Sequence, residues 1–304
     1  MIGVVILNYN NWKDTIACIE SIHEGSADLQ IYLVDNASPS SPPPGFDTLI
    51  QSRNIVFLKS KKNVGYAAGN NIGIRQALSD GCGAVLISNN DVRFEPGCIA
   101  GLYEYLCKHP NVGIVGPKIL DADGNVQKSC LCRKTGLKEK YLVRTRLNLF
   151  FRRQHRTYFG LDRDYDVAFS VYAVQGSCFM ISPSCVREVF PFDEGTFLYE
   201  EEYIVGIRME EKGYETHYNP SCVIRHLHGQ STDQVKPFAY TCETVSEIYY
   251  CRNYLRAANW QIYPLYLYRI IKYIGKSMKS GEFRAYWREF RNRTRKLQSE
   301  WRLK

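Results

Sequence analysis

The chain has 304 residues, 45% of them apolar and 23% charged, enough to bury one large core or two modest ones and too apolar to stay disordered. Its eleven cysteines are scattered and none falls in Cys-x-x-Cys spacing, which argues against a disulfide framework or a zinc site and leaves reduced thiols as the simplest reading. The net charge of +8 belongs to the tail: residues 264–304 hold twelve Lys and Arg against three acids, while 1–263 is net −1, so no nucleic-acid-binding groove is expected across the body.

An apolar run over residues 2–7 reads as a first strand; it is too short for a signal-peptide core, so secretion is not expected. A helix follows over 12–22, then a second strand at 31–34 closed by Asp35-Asn36-Ala37-Ser38. After a Pro/Ser-rich loop come a helix over 46–52, a third strand at 55–59, a helix over 65–78, a fourth strand at 84–88 and a helix over 99–107. Strands alternating with helices at this spacing predict a parallel, doubly wound α/β sheet. Residues 121–170, rich in Arg, Lys and aromatics, have weak periodicity and read as a long excursion of the kind that carries function. Residues 173–181 read as a strand containing Gly176, and the chain after about 245 as mainly helical. No stretch of about 18 uncharged apolar residues occurs, so no membrane span is expected.

Four strand ends share one design, an apolar run closing in small polar residues. They are Leu7-Asn8-Tyr9-Asn10, Val34-Asp35-Asn36, Lys62-Asn63-Val64-Gly65 and Ser88-Asn89-Asn90-Asp91. In a parallel sheet such ends line one edge, where ligands bind. Any one of them fits ordinary loop chemistry; four in phase favour a nucleotide site. There Asp35 can accept from a pyrimidine N–H, Asn side chains can donate to ribose and phosphate oxygens, and Asp91 offers a hard oxygen ligand to a phosphate-bound divalent metal.

These motifs, together with Asn63-Val64-Gly65-Tyr66-Ala67-Ala68-Gly69-Asn70-Asn71-Ile72-Gly73, Phe192-Asp193-Glu194, Tyr199-Glu200-Glu201-Glu202 and His226-Leu227-His228-Gly229-Gln230-Ser231, resemble the inverting glycosyltransferases of family 2 over roughly residues 2–232. Within that family the chain looks most like the bacterial rhamnosyltransferase-like and surface-polysaccharide enzymes. The resemblance implies a GT-A fold, Rossmann-like with a mostly parallel central sheet flanked by helices and here a C-terminal helical extension. It divides the chain into a catalytic domain over 1–245 (nucleotide half 1–118, acceptor half 119–245) and a basic helical extension over 246–304.

The resemblance also implies roles. The donor would lie against Asn8, Asn10, Asp35, Asn63, Gly65, Asn70, Asn89 and Asn90. Asn89-Asn90-Asp91 matches the family's Asp-x-Asp position, with Asn89 in place of its first acid and Asp91 as the acidic ligand of Mg2+ or Mn2+. His226 matches a further metal ligand, and its imidazole suits Mn2+ better. The family pattern Tyr-x-Glu-Asp, aligned on Tyr199, makes Glu202 the base, with Glu in place of Asp, and leaves Glu201 a competitor; an ordinary acidic helix start also fits these residues. Arg208 matches an arginine that faces the diphosphate, a second-shell salt bridge being the other reading, and Gly176 leaves room for sugar.

The implied reaction moves a sugar from dTDP-rhamnose or a UDP-sugar to a glycan or polyprenyl-linked acceptor. In the tail, Phe283, Tyr286, Trp287, Phe290, Leu297 and Trp301 recur at helical spacing between Arg284, Arg288, Arg291, Arg293, Arg295 and Lys296. Residues 264–274 add Tyr, Leu and Ile, and the whole pattern fits either basic C-terminal helices lying on the inner face of the plasma membrane or a helix packed on the body with a solvated basic face. Two rivals stand beside the transferase: a nucleotidyltransferase, for which Leu7-Asn8-Tyr9-Asn10-Asn11-Trp12 lacks the phosphate loop, and a degenerate nucleotide- or glycan-binding protein.

Overall fold

The computed structural model describes residues 1–23, 28–128, 130–227 and 236–299, with side chains to 295. The elements in chain order begin with β1 (Ile2–Asn8), α1 (Trp12–Glu20), β2 (Leu29–Asp35), α2 (Phe46–Ser52), β3 (Val56–Lys59), α3 (Gly65–Ser79) and β4 (Ala84–Asn89). Then come β5 (Val92–Phe94), α4 (Cys98–Lys108), β6 (Val112–Leu120), α5 (Leu137–Leu142), a 3-10 turn (Arg146–Leu149), α6 (Arg152–Tyr158), β7 (Phe169–Val171) and β8 (Cys178–Ile181). The chain continues through α7 (Pro183–Glu188), α8 (Glu201–Lys212), β9 (Glu215–His226), α9 (Pro237–Asn253), α10 (Asn259–Lys279), α11 (Gly281–Ala285) and α12 (Trp287–Ser299).

Among the described residues nine strands form one sheet in the order β3-β2-β1-β4-β8-β6-β9-β5, with β7 also on β9. β1 to β4 run parallel, and the antiparallel β8 returns the direction to β6 and β9, so six of the nine strands point one way. Successive residues of β1 alternate between two cores. Val4 and Ile6 join α1, α2 and α4 on one face, and Val5 joins α3, α7 and α8 on the other. Burial on both faces is why these strands read as unbroken apolar runs.

Three expectations change. The strand expected over 173–181 is β8 alone, and Gly176 lies in the turn before it. The boundaries after 118 and 245 both cut regular elements, β6 and α9. Two of the tail aromatics do not face outward: Phe283 and Phe290 are buried in a cluster with Tyr240 and Tyr273, the Tyr273 and Phe290 rings stack at 4.0 Å, and Tyr286 and Trp287 are half-buried against the cluster. Leu297 and Trp301, like Lys296, lie outside the described side chains. Among the described residues no helix is long and apolar enough to cross a membrane.

Candidate active site

The sheet register lines up the polar strand ends. Asn8 pairs with Asp35 across β1 and β2, and Leu7 pairs with Asn89 across β1 and β4. Asn8 is fully buried and serves as a hub: its Oδ1 accepts from Thr15 Oγ1 at 2.9 Å and Asn90 Nδ2 at 3.1 Å, and its Nδ2 donates to Ser38 Oγ at 3.2 Å. Asn90 Nδ2 also donates to the Asn11 carbonyl and to Thr15 Oγ1. Both side chains turn inward, and their hydrogen bonds fix the strand ends to each other.

Three further positions are also engaged within the fold. Asn70 is fully buried, with its Nδ2 on the Tyr66 carbonyl and its Oδ1 without a hydrogen bond. Asn63 Oδ1 accepts from Asn36 Nδ2 and the Gly65 N–H, each at 3.0 Å, closing the turn before α3. Gly65 has φ +86°, and a Cβ there would lie 2.2 Å from the Phe197 carbonyl oxygen, so this glycine lets the 193–200 loop approach. Asn10 is exposed and holds Ser40 through its Oδ1.

Asp35 stays at the edge, its Oδ1 accepting from the Ser38 N–H at 3.1 Å. Across the edge, β5 pairs Val92 with His226, which brings His226 Nε2 within 3.2 Å of Asp91 Oδ1. Asp91 Oδ1 and His226 Nδ1 are buried without a hydrogen-bond partner, as is Ser177 Oγ. Unpaired buried polar atoms are costly, and their gathering at this edge suits a site completed by a ligand. Among the described residues no three His, Cys, Asp or Glu side chains form a ready metal cage, so Asp91 and His226 stand as a pair. His228 to Ser231 lie outside the described residues.

The turn holding Gly176 joins this corner to α8. The Asn89 N–H donates to the Ser177 carbonyl at 2.8 Å, and one residue earlier the Gly176 N–H donates to Glu202 Oε1 at 3.1 Å. A Cβ on residue 176 would fall 2.5 Å from that oxygen. Tyr66, whose hydroxyl donates to the Gly176 carbonyl, lines one pocket with Gly176, Phe192, Glu201 and Glu202.

The three glutamates have separate fates. Tyr199 and Glu200 both have positive φ, 73° and 75°, a backbone that costs about 1–3 kcal/mol per residue and needs over-determination. Glu200 supplies it. Its carboxylate is buried against Lys140 Nζ at 2.5 Å, Lys140 reaches Glu247 at 3.7 Å, and Arg269 holds Glu247 with two bonds of 2.7 and 2.8 Å. Glu200 is therefore structural.

Glu201 accepts from Thr196 Oγ1 at 3.1 Å, and burial, with the charge of Glu202 beside it, pushes its carboxyl up to about 8. Burial raises Glu202 as well, while the N–H donors of its own residue and Gly176 favour its charged form. The two carboxyls titrate together: burial holds both up, and the N–H donors at Glu202 draw the pair's negative charge toward it.

Arg208 does not face the strand ends. It donates to the Val189 and Pro191 carbonyls at 3.3 and 2.7 Å and to the Tyr254 hydroxyl at 3.4 Å, bracing the loop before α8. Asp193, from the Phe-Asp-Glu motif, is tied to the Tyr249 and Tyr254 hydroxyls and braces the same loop. Lys140 and Thr196 did not stand out in the sequence, and Tyr66 stood in the 63–73 motif with no role assigned; Lys140 lies in the segment with weakest periodicity, where no pattern marks it.

An α/β sheet whose polar strand ends share one edge, with a glutamate-headed helix set against it, is the architecture of a GT-A glycosyltransferase. The chain resembles the solved structure of GalNAc-T7 with UDP, GalNAc and Mn2+ (TM-score 0.55, 14% identity, 83% of this chain), of which it spans half. It also resembles the mannosyltransferase PcManGT from Pyrobaculum calidifontis in complex with GDP-Man and Mn2+ (TM-score 0.53, 13% identity, 93% of this chain and 73% of that one). The model of glycosyl transferase family 2 matches residues 3–174, and the chain belongs to that family. It is 28% identical over 213 residues to an N-acetylglucosaminyl-diphospho-decaprenol L-rhamnosyltransferase of Mycobacterium tuberculosis (strain CDC 1551 / Oshkosh), a match covering 67% of this chain and 68% of that one.

Proposed function

We propose that this family 2 glycosyltransferase inverts the anomeric centre of a nucleotide-diphosphate sugar, dTDP-rhamnose or a UDP-sugar, as it transfers the sugar to a glycan or polyprenyl-linked acceptor in surface polysaccharide synthesis. The observation that carries the reading is the Glu202 carboxylate held on the Gly176 N–H beside a side-chain-free wall. The acceptor hydroxyl gives its proton to Glu202 as its oxygen bonds to the anomeric carbon. The bond from that carbon to the diphosphate oxygen breaks, and the nucleoside diphosphate leaves with the electron pair. Base catalysis of this kind contributes about 10²–10⁴-fold. Glu201, protonated and turned to Thr196, keeps a second negative charge away from the acceptor.

Asp91 and His226 fit Mg2+ or Mn2+. One supplies a carboxylate oxygen and the other an imidazole; the two lie 3.2 Å apart, and His226 Nδ1 is buried without a hydrogen bond. When bound, the ion would neutralise charge on the leaving diphosphate. Asp35 is suited to the base of the nucleotide, and Asn89 to the edge beside the metal. The rhamnosyltransferase relative, whose name contains a decaprenol diphosphate, supports a lipid-linked acceptor and with it a cytoplasmic, membrane-peripheral location.

The test is a screen of nucleotide sugars with and without Mn2+, followed by the anomeric configuration of the product. Transfer with inversion supports the reading. Metal-dependent nucleotide binding with no transfer from any donor favours a degenerate binding protein instead.

A further inference from the structure

α10 is apolar on two faces. Ile262, Leu265, Tyr266 and Tyr273 are buried against the rest of the fold. On the opposite side Trp260, Tyr263, Leu267, Ile271, Ile274 and Met278 recur at steps of three and four residues, forming one stripe, and each is 43–77% exposed. A globular helix ordinarily buries one apolar stripe, yet this one carries a second that meets solvent along its length. Beside it, the Arg146 N–H donates to the Tyr268 hydroxyl at 3.1 Å, and the turn that follows exposes Leu147, Leu149 and Phe150 at 42, 61 and 81%. Contiguous exposed apolar surface of this kind marks a contact site.

Charge says what the contact is. α10 contains no Asp or Glu. Its Arg269 is consumed internally by Glu247, and its three lysines, Lys272, Lys276 and Lys279, line a groove with Arg146, Tyr268 and Ile271. A second copy on the same stripe would set lysines against lysines with no acid on α10 to answer them. An anionic bilayer supplies both the missing charge and an apolar interior.

We propose that α10 and the 146–150 turn are the surface by which this protein lies on an anionic lipid bilayer, the apolar stripe at the acyl boundary and the lysines among headgroup phosphates. The inference rests on the reading of a lipid-linked acceptor and narrows the membrane contact expected of the C-terminal helices to α10 and the 146–150 turn, since Phe283 and Phe290 of α11 and α12 are buried. The inner face of α10 gives the docking a consequence. Arg269, Glu247, Lys140 and Glu200 form a continuous chain of buried ion pairs that ends one residue from Glu201. The docking helix and the catalytic glutamates are thus fixed to each other, and orientation on the bilayer sets the orientation of the pocket above it.

The experiment is co-sedimentation of the full chain with vesicles of phosphatidylcholine alone or mixed with phosphatidylglycerol, with thermal unfolding to verify each variant. Expected is salt-sensitive binding to the anionic vesicles only. The double variant Ile271→Glu/Met278→Glu should weaken it tenfold or more, while Arg288→Glu/Arg295→Glu, on the exposed basic side of α12, should leave it within twofold. Ile271→Ser/Met278→Ser stands in if the glutamates impair folding. Undiminished binding by the stripe variants, or loss only with the α12 variant, overturns the proposal, as does a chain that dimerises through the stripe and ignores vesicles. Nucleotide-sugar hydrolysis without vesicles is followed in parallel. Hydrolysis with no vesicle binding overturns the docking surface alone, whereas anionic-vesicle binding lost in the stripe variants, with no hydrolysis of any donor, supports the surface and overturns the transferase reading.

Discussion

The Gly176 N–H lies 3.1 Å from Glu202 Oε1, and the Cβ that any other residue would carry at 176 falls 2.5 Å from the same oxygen. The glycine thus both donates to the proposed base and leaves it room. Gly176→Ala should push the carboxylate aside. Because about 1 Å of misplacement can cost 10²-fold, kcat should fall by about that factor while the KM for the donor stays within a few-fold. Steady-state kinetics of the variant check this, and a lost KM with unchanged kcat would assign Gly176 to binding instead.

The Glu201 carboxyl is raised from the ordinary 4.5 to about 8 by burial and then by Glu202. A carboxyl raised in the folded state binds its proton more tightly there than in the unfolded chain, so stability is lost as pH rises from about 4.5 to 8. Glu201→Gln removes that penalty. Its melting temperature should exceed the wild type's at pH 8, with the difference shrinking toward pH 4.5. Thermal unfolding across this window checks the sign.

Lys140 is fully buried between Glu200 and Glu247. Lys140→Met leaves Glu200 without its cation, and breaking a buried pair in this way costs about 3–5 kcal/mol. Urea unfolding should show that loss, and the double variant Lys140→Met/Glu200→Gln should recover part of it. Equal losses in the single and double variants would mean that Lys140 acts through packing alone.

Asp91 and His226 should carry the metal dependence of donor binding. Calorimetric titration of a nucleoside diphosphate with and without Mn2+ should show tighter binding with the ion in the wild type. That increment should vanish in Asp91→Ala and shrink in His226→Ala, with metal-free binding little changed.

The sequence carries the first half of the sheet plainly because β1, β2 and β4 are buried on both faces and read as apolar runs. β6 and β9 went unread for a physical reason: their pairing is broken at Val112/Ile114 and Pro117/Lys118, and Gly113, Gly116 and Pro117 in β6, with Pro220 in β9, interrupt the apolar pattern. At the site, residue types at strand ends were legible but side-chain direction was not. Asn8 and Asn90 turned inward to each other across 82 positions of chain. Arg208 was taken by carbonyls at 189 and 191, and Glu200 by a lysine 60 residues upstream. The spacing of Phe283 and Phe290 announces a helix with an apolar face but does not say that Tyr240 and Tyr273 cover it.

Glu202→Gln tests the base most directly, since the amide keeps the shape of the side chain and its acceptor oxygen for Gly176 while losing the ability to take a proton. Nucleotide-sugar affinity and melting temperature should stay close to wild type, and transfer should fall by about 10²–10⁴-fold. Wild-type-like turnover by Glu202→Gln, above all with transfer lost in Glu201→Gln, would contradict the assignment of the proton to Glu202.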